Sequence, residues 1–201
     1  MELLAALGRT VPFAFTSGIN LYATVAVIGL CSRFQLVTLP DQFRAFGHPV
    51  VIGVALALYV IEFVADKVPW VDSIWDAVHT VVRPVGGALV AMTALGGASL
   101  EVQTAMALLG GSVAAATHVT KSGTRAVVNT SPEPFSNWFL SLAEDIFVVT
   151  FSYVALQHPI AALAVVAVLL AVIAMFASRL IRAIRRRFRR HTGTEPSGSR
   201  Q

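Results

Sequence analysis

The sequence predicts an all-α protein, a helix bundle that crosses a membrane about six times. Apolar residues make up 56% of the 201 residues and charged residues only 13%, whereas a typical soluble chain has about 45–50% and about 25%. The mean hydropathy is +0.72, and six apolar runs lie near the roughly 20 residues that a bilayer-spanning helix needs. These observations exclude intrinsic disorder, a collagen-like chain and most soluble enzymes.

The six predicted spans differ in regularity along the chain. They cover residues 11–31, 49–65, 71–97, 102–120, 139–156 and 159–178. The sixth contains no charge, while the third is amphipathic over its first half and is divided by Pro84, so we expect the third span to be amphipathic or broken. Segments 16–20 and 121–125 resemble each other, which is consistent with two three-helix halves of opposite orientation, as in many transporters.

Basic residues indicate the orientation of the spans, because cytoplasmic loops carry an excess of Lys and Arg. With the N-terminus inside, the basic residues on the cytoplasmic side include Arg9, Lys67, Lys121 and Arg125. Six spans then keep both termini in the cytoplasm. We therefore divide the chain into a transmembrane helical domain, 1–182, and a basic, disordered cytoplasmic tail, 183–201.

The net charge of +4 is concentrated after the last span. Seven arginines follow directly after that span, at Arg179, Arg182, Arg185, Arg186, Arg187, Arg189 and Arg190. Because basic residues beside a membrane bind anionic lipids at roughly 1 kcal/mol each, the expected partners are the lipid bilayer and its anionic lipids, and no nucleic acid. The single cysteine, Cys31, excludes an internal disulfide, and glycine pairs within the spans are compatible with a homo-oligomer.

The most informative segment runs from the end of the second span into the third. Glu62 and Asp66 lie four residues apart and therefore share a helix face. Beyond the next proline, steps of four, three and four predict one polar stripe along a helix, formed by Asp72, Asp76, His79 and Arg83. Either this stripe faces water at the membrane interface, or it turns inward to line a polar cavity. Glu62 lies deeper in an apolar run, which favours a function or a buried ion pair there.

A second polar group lies on the fourth and fifth spans. His118 and Arg125 share one helix face, with Lys121 between them; these bases either only set the orientation, or bind an anion or the acidic stripe. Glu144 and Asp145 stand side by side in an otherwise apolar run, about 100° apart around the helix. We therefore expect one of these two acids to pair with a basic residue of another span and the other to face a cavity.

The first span contains small and polar residues among apolar ones. Within segment 16–20, Asn20 requires a hydrogen-bond partner inside the bilayer. Either a neighbouring helix supplies that partner, or the helix opens locally and its backbone lines a site. Packing between helices is the commoner case.

Taken together, these motifs resemble one family of small bacterial integral membrane proteins. The motifs are Gly18-Ile19-Asn20-Leu21-Tyr22, residues 62–69, residues 72–76, Arg83-Pro84, His118 with Lys121 and Arg125, residues 129–137, and Glu144-Asp145. The family is catalogued as domain of unknown function 4126, and the resemblance covers about residues 11–153. It implies a location in the bacterial inner membrane, and it implies no particular activity.

Three function classes are compatible with these residues. A small transporter or channel is favoured, because polar and ionisable residues on several spans could line a pathway for a cation or a proton. The residues assigned to this pathway are Asn20, Glu62, Asp66, Asp72, Asp76, His79, Arg83, His118, Lys121, Arg125, Glu144 and Asp145. The second class is a structural or scaffold protein, in which the same residues only fix helix packing.

The third class is a metal-dependent enzyme that acts on a lipid phosphate. Asp72 and Asp76 could hold Mg²⁺, and Lys121 and Arg125 could hold the phosphate. The sequence contains no Gly-rich phosphate loop, no His-Glu-x-x-His zinc helix and no second Asp-rich motif. We therefore expect no catalytic residues and no cofactor, and an enzyme is the least favoured class.

Overall fold

The structure, a computed structural model, describes residues 2–130 and 135–191. Every regular element within these ranges is helical, which confirms the predicted all-α class. The α-helices in these ranges are α1 Glu2–Ile19, α2 Leu21–Arg33, α3 Pro49–Ala65, α4 Pro69–Leu95, α5 Leu100–Val128, α6 Phe135–Gln157 and α7 Pro159–His191. A short 3₁₀ helix, Asp41–Ala45, lies in the connection between α2 and α3.

Three helices in the described part of the chain are long and apolar enough to cross a membrane. The qualifying segments are Trp70–Leu95 in α4, Phe135–Gln157 in α6 and Pro159–Arg179 in α7. Helices α2 and α3 are also apolar but contain only 13 and 17 residues, fewer than the roughly 20 that a span needs. These helices fit association with a membrane, whereas the expected number of about six spans is not confirmed.

The first predicted span, 11–31, consists of two helices that meet at Asn20. The backbone of Asn20 is extended, with φ −148° and ψ 101°, so the helical path of α1 ends at Ile19. The Oδ1 atom of Asn20 accepts a hydrogen bond from the Ala23 amide at 2.9 Å and thereby caps the N-terminus of α2. The backbone therefore opens locally at this position, within a run of apolar residues.

Helix α4 is continuous over 27 residues and passes through Pro84. The expectation of a broken third span is therefore not realised, and the break lies in the first span instead. A proline inside a helix removes one backbone hydrogen bond, but α4 packs along both α1 and α5, which stabilises it. The amphipathic alternative holds, since Ile74, Val78 and Val81 are exposed while the polar stripe is buried.

Helices α1, α4 and α5 approach one another at glycine positions. A Cβ atom added at Gly18 would lie 2.4 Å from the Ala114 carbonyl oxygen, and one added at Gly87 would lie 2.5 Å from the Ala114 Cβ. A Cβ at Gly110 would lie 2.5 Å from the Ala91 Cβ. Glycine is therefore required for this backbone contact, which brings the polar faces of α4 and α5 against the end of α1.

The chain divides after Val166 into two compact units. The first unit contains α1 to α6 and the first turns of α7. In the second unit, the rest of α7 is helical to His191, so this helix includes residues 183–191 of the predicted tail. Residues 192–201, the remainder of that tail, lie outside the described residues.

Candidate functional site

Buried polar and charged side chains gather around the break between α1 and α2. All twelve residues assigned to the pathway lie in the first unit, and eleven of them are buried. The exception is Glu144, with 14% of its side chain exposed. The residues of the stripe on α4 are at most 6% exposed, so the stripe turns inward and does not face water at an interface.

Arg83 links α4 to three other helices from a fully buried position. Its Nη2 atom donates to Glu62 Oε1 on α3 at 2.5 Å. Its Nη1 atom donates to the Gly18 carbonyl of α1 at 3.2 Å and to His118 Nδ1 on α5 at 2.8 Å. Asp76 Oδ1 lies 3.6 Å from the same Nη1 atom, which is an ionic contact too long for a hydrogen bond. Two carboxylates therefore share this guanidinium.

The side chain of Lys121, on α5, contacts the last residue of α1. Its Nζ atom donates to the Ile19 carbonyl at 3.0 Å. Carboxylate oxygens of Glu62, Asp66 and Glu144 lie 3.5, 3.4 and 3.5 Å from the same atom. Because the carbonyl end of a helix also carries a partial negative charge, a single ammonium group contacts negative charge from three acids and from the end of α1.

The guanidinium of Arg125 uses all five of its N–H donors. Nε and Nη2 donate to Glu144 Oε2 at 3.2 and 2.9 Å, and Nη2 also donates to Asp66 Oδ2 at 2.7 Å. Nη1 donates to the Asp66 carbonyl at 3.0 Å and to Asn137 Oδ1 at 2.8 Å. Asp72 Oδ1 lies 3.7 Å from Nη1. Since guanidinium has five donors, Arg125 is saturated by groups of the protein.

Hydrogen bonds fix the orientation of both buried histidines. His118 Nδ1 accepts from the guanidinium on α4, which can only donate, so the ring proton is on Nε2, 3.1 Å from the Asp76 carbonyl. His79 Nδ1 lies 2.7 Å from the Trp75 carbonyl and therefore donates to it. His79 Nε2 lies 3.0 Å from the Tyr22 hydroxyl. These contacts assign His118 to the neutral form and attach His79 to α2.

The two adjacent carboxylates of α6 have different surroundings. Glu144 contacts two basic residues, in agreement with the expectation that one of the pair would do so. Asp145 accepts a hydrogen bond at Oδ1 from Asn20 Nδ2 at 3.1 Å. Its Oδ2 atom is buried and has no hydrogen-bond partner within the described residues. Asn20 therefore both opens the backbone of the first predicted span and binds an acid of another helix.

The cluster contains more acid than base. Among the described residues, its carboxylates are Glu62, Asp66, Asp72, Asp76, Glu144 and Asp145. Its strong bases are Arg83, Lys121 and Arg125. Six carboxylates against three bases leave a surplus of three negative charges if all are ionised.

A polar cleft of about 260 Å³ reaches the cluster between α4 and α5. It is lined by Asp72, Ser73, Asp76, Ala77, Thr80, Ser122, Arg125, Ala126 and Asn129. A larger groove of about 520 Å³ lies along α6 and is lined almost entirely by apolar side chains. The smaller cleft is therefore the one that meets charged residues.

Lys67 stands at the edge of the cluster, in the connection between α3 and α4. Its Nζ atom donates to the Phe63 carbonyl at 2.8 Å and lies 3.1 Å from the centre of the Phe63 ring. Burial lowers the pKa of the Lys67 amine from its usual range, because the charged form loses hydration.

The donor set gives no support to a metal centre. Within residues 2–130 and 135–191, no group of three or more His, Cys, Asp or Glu side chains is arranged to hold a metal ion. Asp72 and Asp76, the pair considered for Mg²⁺, instead point towards Arg125 and Arg83. The hypothesis of a metal-dependent enzyme therefore gains nothing from this geometry.

A comparison with protein-family models identifies the chain. The model described as Domain of unknown function (DUF4126) matches residues 7–179. The chain belongs to this family. No curated protein matches the chain, and no solved structure does. The matched range of this DUF4126 protein includes every residue of the buried cluster.

Sequence reasoning missed several members of the DUF4126 cluster. Asn137, which was not assigned to the pathway, bridges Arg125 and the Asp66 carbonyl. Its position could have been inferred, because residues 137, 141 and 145 are spaced by four and share one face of α6. Asn129, which donates to Asp72 Oδ2 at 2.8 Å, lies four residues after Arg125 and continues the polar face of α5.

Proposed function

We propose that this DUF4126 protein is a small membrane transporter that takes up protons or other cations at its buried acidic cluster. The observation that carries the proposal is the surplus of three carboxylates over strong bases. Unbalanced charge is costly in a low-dielectric interior, and the half-buried Lys67 would offset only one charge. The cluster therefore requires protons or cations, and the exchange of such ions is the elementary step of coupled transport.

The break in the first helix supports the same proposal. Discontinuous helices in transporters present backbone carbonyls to cations and amides to anions. Here the carbonyls of Gly18 and Ile19 accept hydrogen bonds from Arg83 and Lys121. Two positively charged side chains thus bind at the carbonyl end of α1, a position that favours cations.

Within the cluster, we assign the exchanged ion to Asp145. Each of the other five acids has a strong base within 3.7 Å, whereas the charged groups around Asp145 are the more distant Glu62, Asp66, Lys121 and Lys67. Its free Oδ2 atom can accept a proton or face a cation without breaking an ion pair.

We also propose a multi-pass location in the bacterial inner membrane with both termini in the cytoplasm. The basic residues support this orientation, because they fall on one side of the predicted spans. The arginines after the last span would bind anionic lipid there. Accessibility of single cysteines near each terminus to membrane-impermeant thiol reagents, after Cys31→Ser, tests the orientation.

The proposed ion exchange is tested with proteoliposomes on a solid-supported membrane. A jump in pH should displace charge in wild-type protein as ions enter or leave the cluster, with no need for a known solute. Asp145→Asn should strongly reduce the displaced charge, and Glu101→Gln, at the exposed start of α5, should not. A wild-type signal equal to that of protein-free liposomes would overturn the proposal.

A scaffold protein is the second candidate, and the saturation of Arg125 favours it. A guanidinium with five internal acceptors stabilises helix pairing without any ligand. In a scaffold, Asp145→Asn would change stability while the wild type displaced no charge. The same experiment therefore separates the two candidates.

A further inference from the structure

The cleft between α4 and α5 contains two carboxylates that the proposed ion exchange does not use. Asp72 and Asp76 both line it and are more than nine-tenths buried. Asp72 Oδ2 accepts from Asn129, while the Oδ1 atoms of both acids have no hydrogen-bond partner within the described residues. Each Oδ1 atom lies 3.6–3.7 Å from a guanidinium, too far for a hydrogen bond. Both acids therefore have unused capacity to accept hydrogen bonds beside the cleft.

The arginine in the same wall does not make the cleft a site for an anion. Arg125 lines the cleft, but its five donors are already occupied by the protein. An incoming carboxylate or phosphate would meet two acids and no free donor from this guanidinium. Electrostatic complementarity thus favours a positively charged ligand.

The hydroxyl groups of the cleft also act as acceptors. Thr80 donates its proton to the Asp76 carbonyl at 3.0 Å, and Ser122 donates to the Val119 carbonyl at 3.3 Å. Thr80 Oγ1 also lies 3.3 Å from His118 Nε2, which carries the ring proton. Since a hydroxyl has one donor and two acceptor positions, Thr80 keeps one acceptor position and Ser122 keeps two. The cleft therefore offers acceptors on both helices.

From these features we infer that the cleft binds a small organic ammonium ion. Such an ion carries one positive charge and several N–H donors, which match the two carboxylates and the hydroxyl oxygens. A volume of about 260 Å³ exceeds that of a bare metal ion, and the described residues hold no group of three metal ligands. This inference rests on the proposed function and extends it: in a cation transporter, the organic ammonium ion bound in the cleft is the transported solute.

Binding is tested on the purified full chain in detergent, with ethylammonium chloride as the probe. Thermal unfolding and titration calorimetry should show saturable stabilisation, because a ligand that binds only the folded state raises its stability. Potassium chloride and sodium acetate at equal concentrations should not reproduce the effect. Equal stabilisation by potassium would indicate a site for alkali ions and would overturn the inference.

Two variants connect the binding to the cleft. Asp72→Asn should weaken ethylammonium binding about tenfold or more, since it removes one charge-assisted hydrogen bond. Because this variant could fail to fold, Ala77→Leu provides a second test: it fills the cleft and retains both acids. Ala105→Leu, exposed on α5 outside the cleft, is the matched control and should bind as the wild type does.

The outcomes separate this inference from the proposed function. Ethylammonium binding that survives Ala77→Leu would refute the assignment to the cleft. Charge displacement that depends on Asp145, without ethylammonium binding, would retain the proposed function and refute the inference. Binding without charge displacement would retain the cleft as an ammonium site and refute ion exchange at Asp145.

Discussion

Replacement of Asn20 with alanine tests whether this one side chain stabilises both the start of α2 and the buried acid of α6. The substitution removes the cap on the Ala23 amide, worth about 1 kcal/mol. It also removes the 3.1 Å hydrogen bond to Asp145, worth about 1.5–3 kcal/mol because the acceptor is charged. We therefore expect the free energy of unfolding to fall by about 2.5–4 kcal/mol in Asn20→Ala.

The measurement is reversible unfolding of the full chain in mixed micelles with increasing detergent denaturant. Asn20→Asp retains a capping oxygen but places a second carboxylate beside Asp145, so it should destabilise at least as much as Asn20→Ala. Ser112→Ala removes the hydroxyl of an exposed residue, which donates to the Leu108 carbonyl of the same helix, and should change stability by less than about 0.5 kcal/mol. A loss in Asn20→Ala as small as in this control would refute the reasoning, as would purely additive effects of Asn20→Ala and Asp145→Ala.

Three further predictions concern the packing, the ion pairs and the lysines. Gly18→Ala should lower the free energy of unfolding by about 1–3 kcal/mol, because the added Cβ atom would clash with a carbonyl oxygen of α5. The control is Gly53→Ala, which has open space around it and should leave stability unchanged or slightly raised in the same unfolding assay. Arg125→Lys should lower the free energy of unfolding by about 3–5 kcal/mol, since one ammonium group cannot replace five directed donors and buried acids lose their partner. An unchanged unfolding midpoint would contradict this prediction. Lys67 should be acylated faster than Lys121, as measured by mass spectrometry, because its lowered pKa leaves more neutral amine at a given pH. The acylation rate of Lys67 should rise with pH and become constant at a pH below the usual pKa of lysine. Equal labelling of the two lysines would contradict the prediction.

The helical spacing of polar residues was sufficient to group the acids but not to orient them. Steps of three and four place Asp72, Asp76 and Arg83 on one face of α4 whatever that face contacts. In a soluble helix such a face would point to water, whereas here it is buried and the apolar face is exposed. The periodicity is identical in both cases, so only the contacts with α1 and α5 decide the direction.

Local reasoning raised a break near Asn20 and a partner on another helix as alternatives, but it could neither choose between them nor identify the partner. Asn20 lies within a run whose composition suits one continuous helix, and its partner Asp145 is 125 residues away in the sequence. By contrast, Pro84 is the obvious candidate for a break, yet packing keeps α4 continuous around it. Local propensity is a weak guide where tertiary contacts compete with it.

The single extended residue at Asn20 has a mechanical consequence. Helices α1, α4 and α5 contact one another most extensively, while α2 contacts α3 and α6, and α6 also contacts α1. Asn20 therefore joins two groups of helices that also touch each other directly. Ion pairs such as Glu62 with Arg83 and Glu144 with Arg125 join these groups. Because these ion pairs are buried, moving the two groups of helices apart would leave charges without partners, so the ion pairs oppose such a movement.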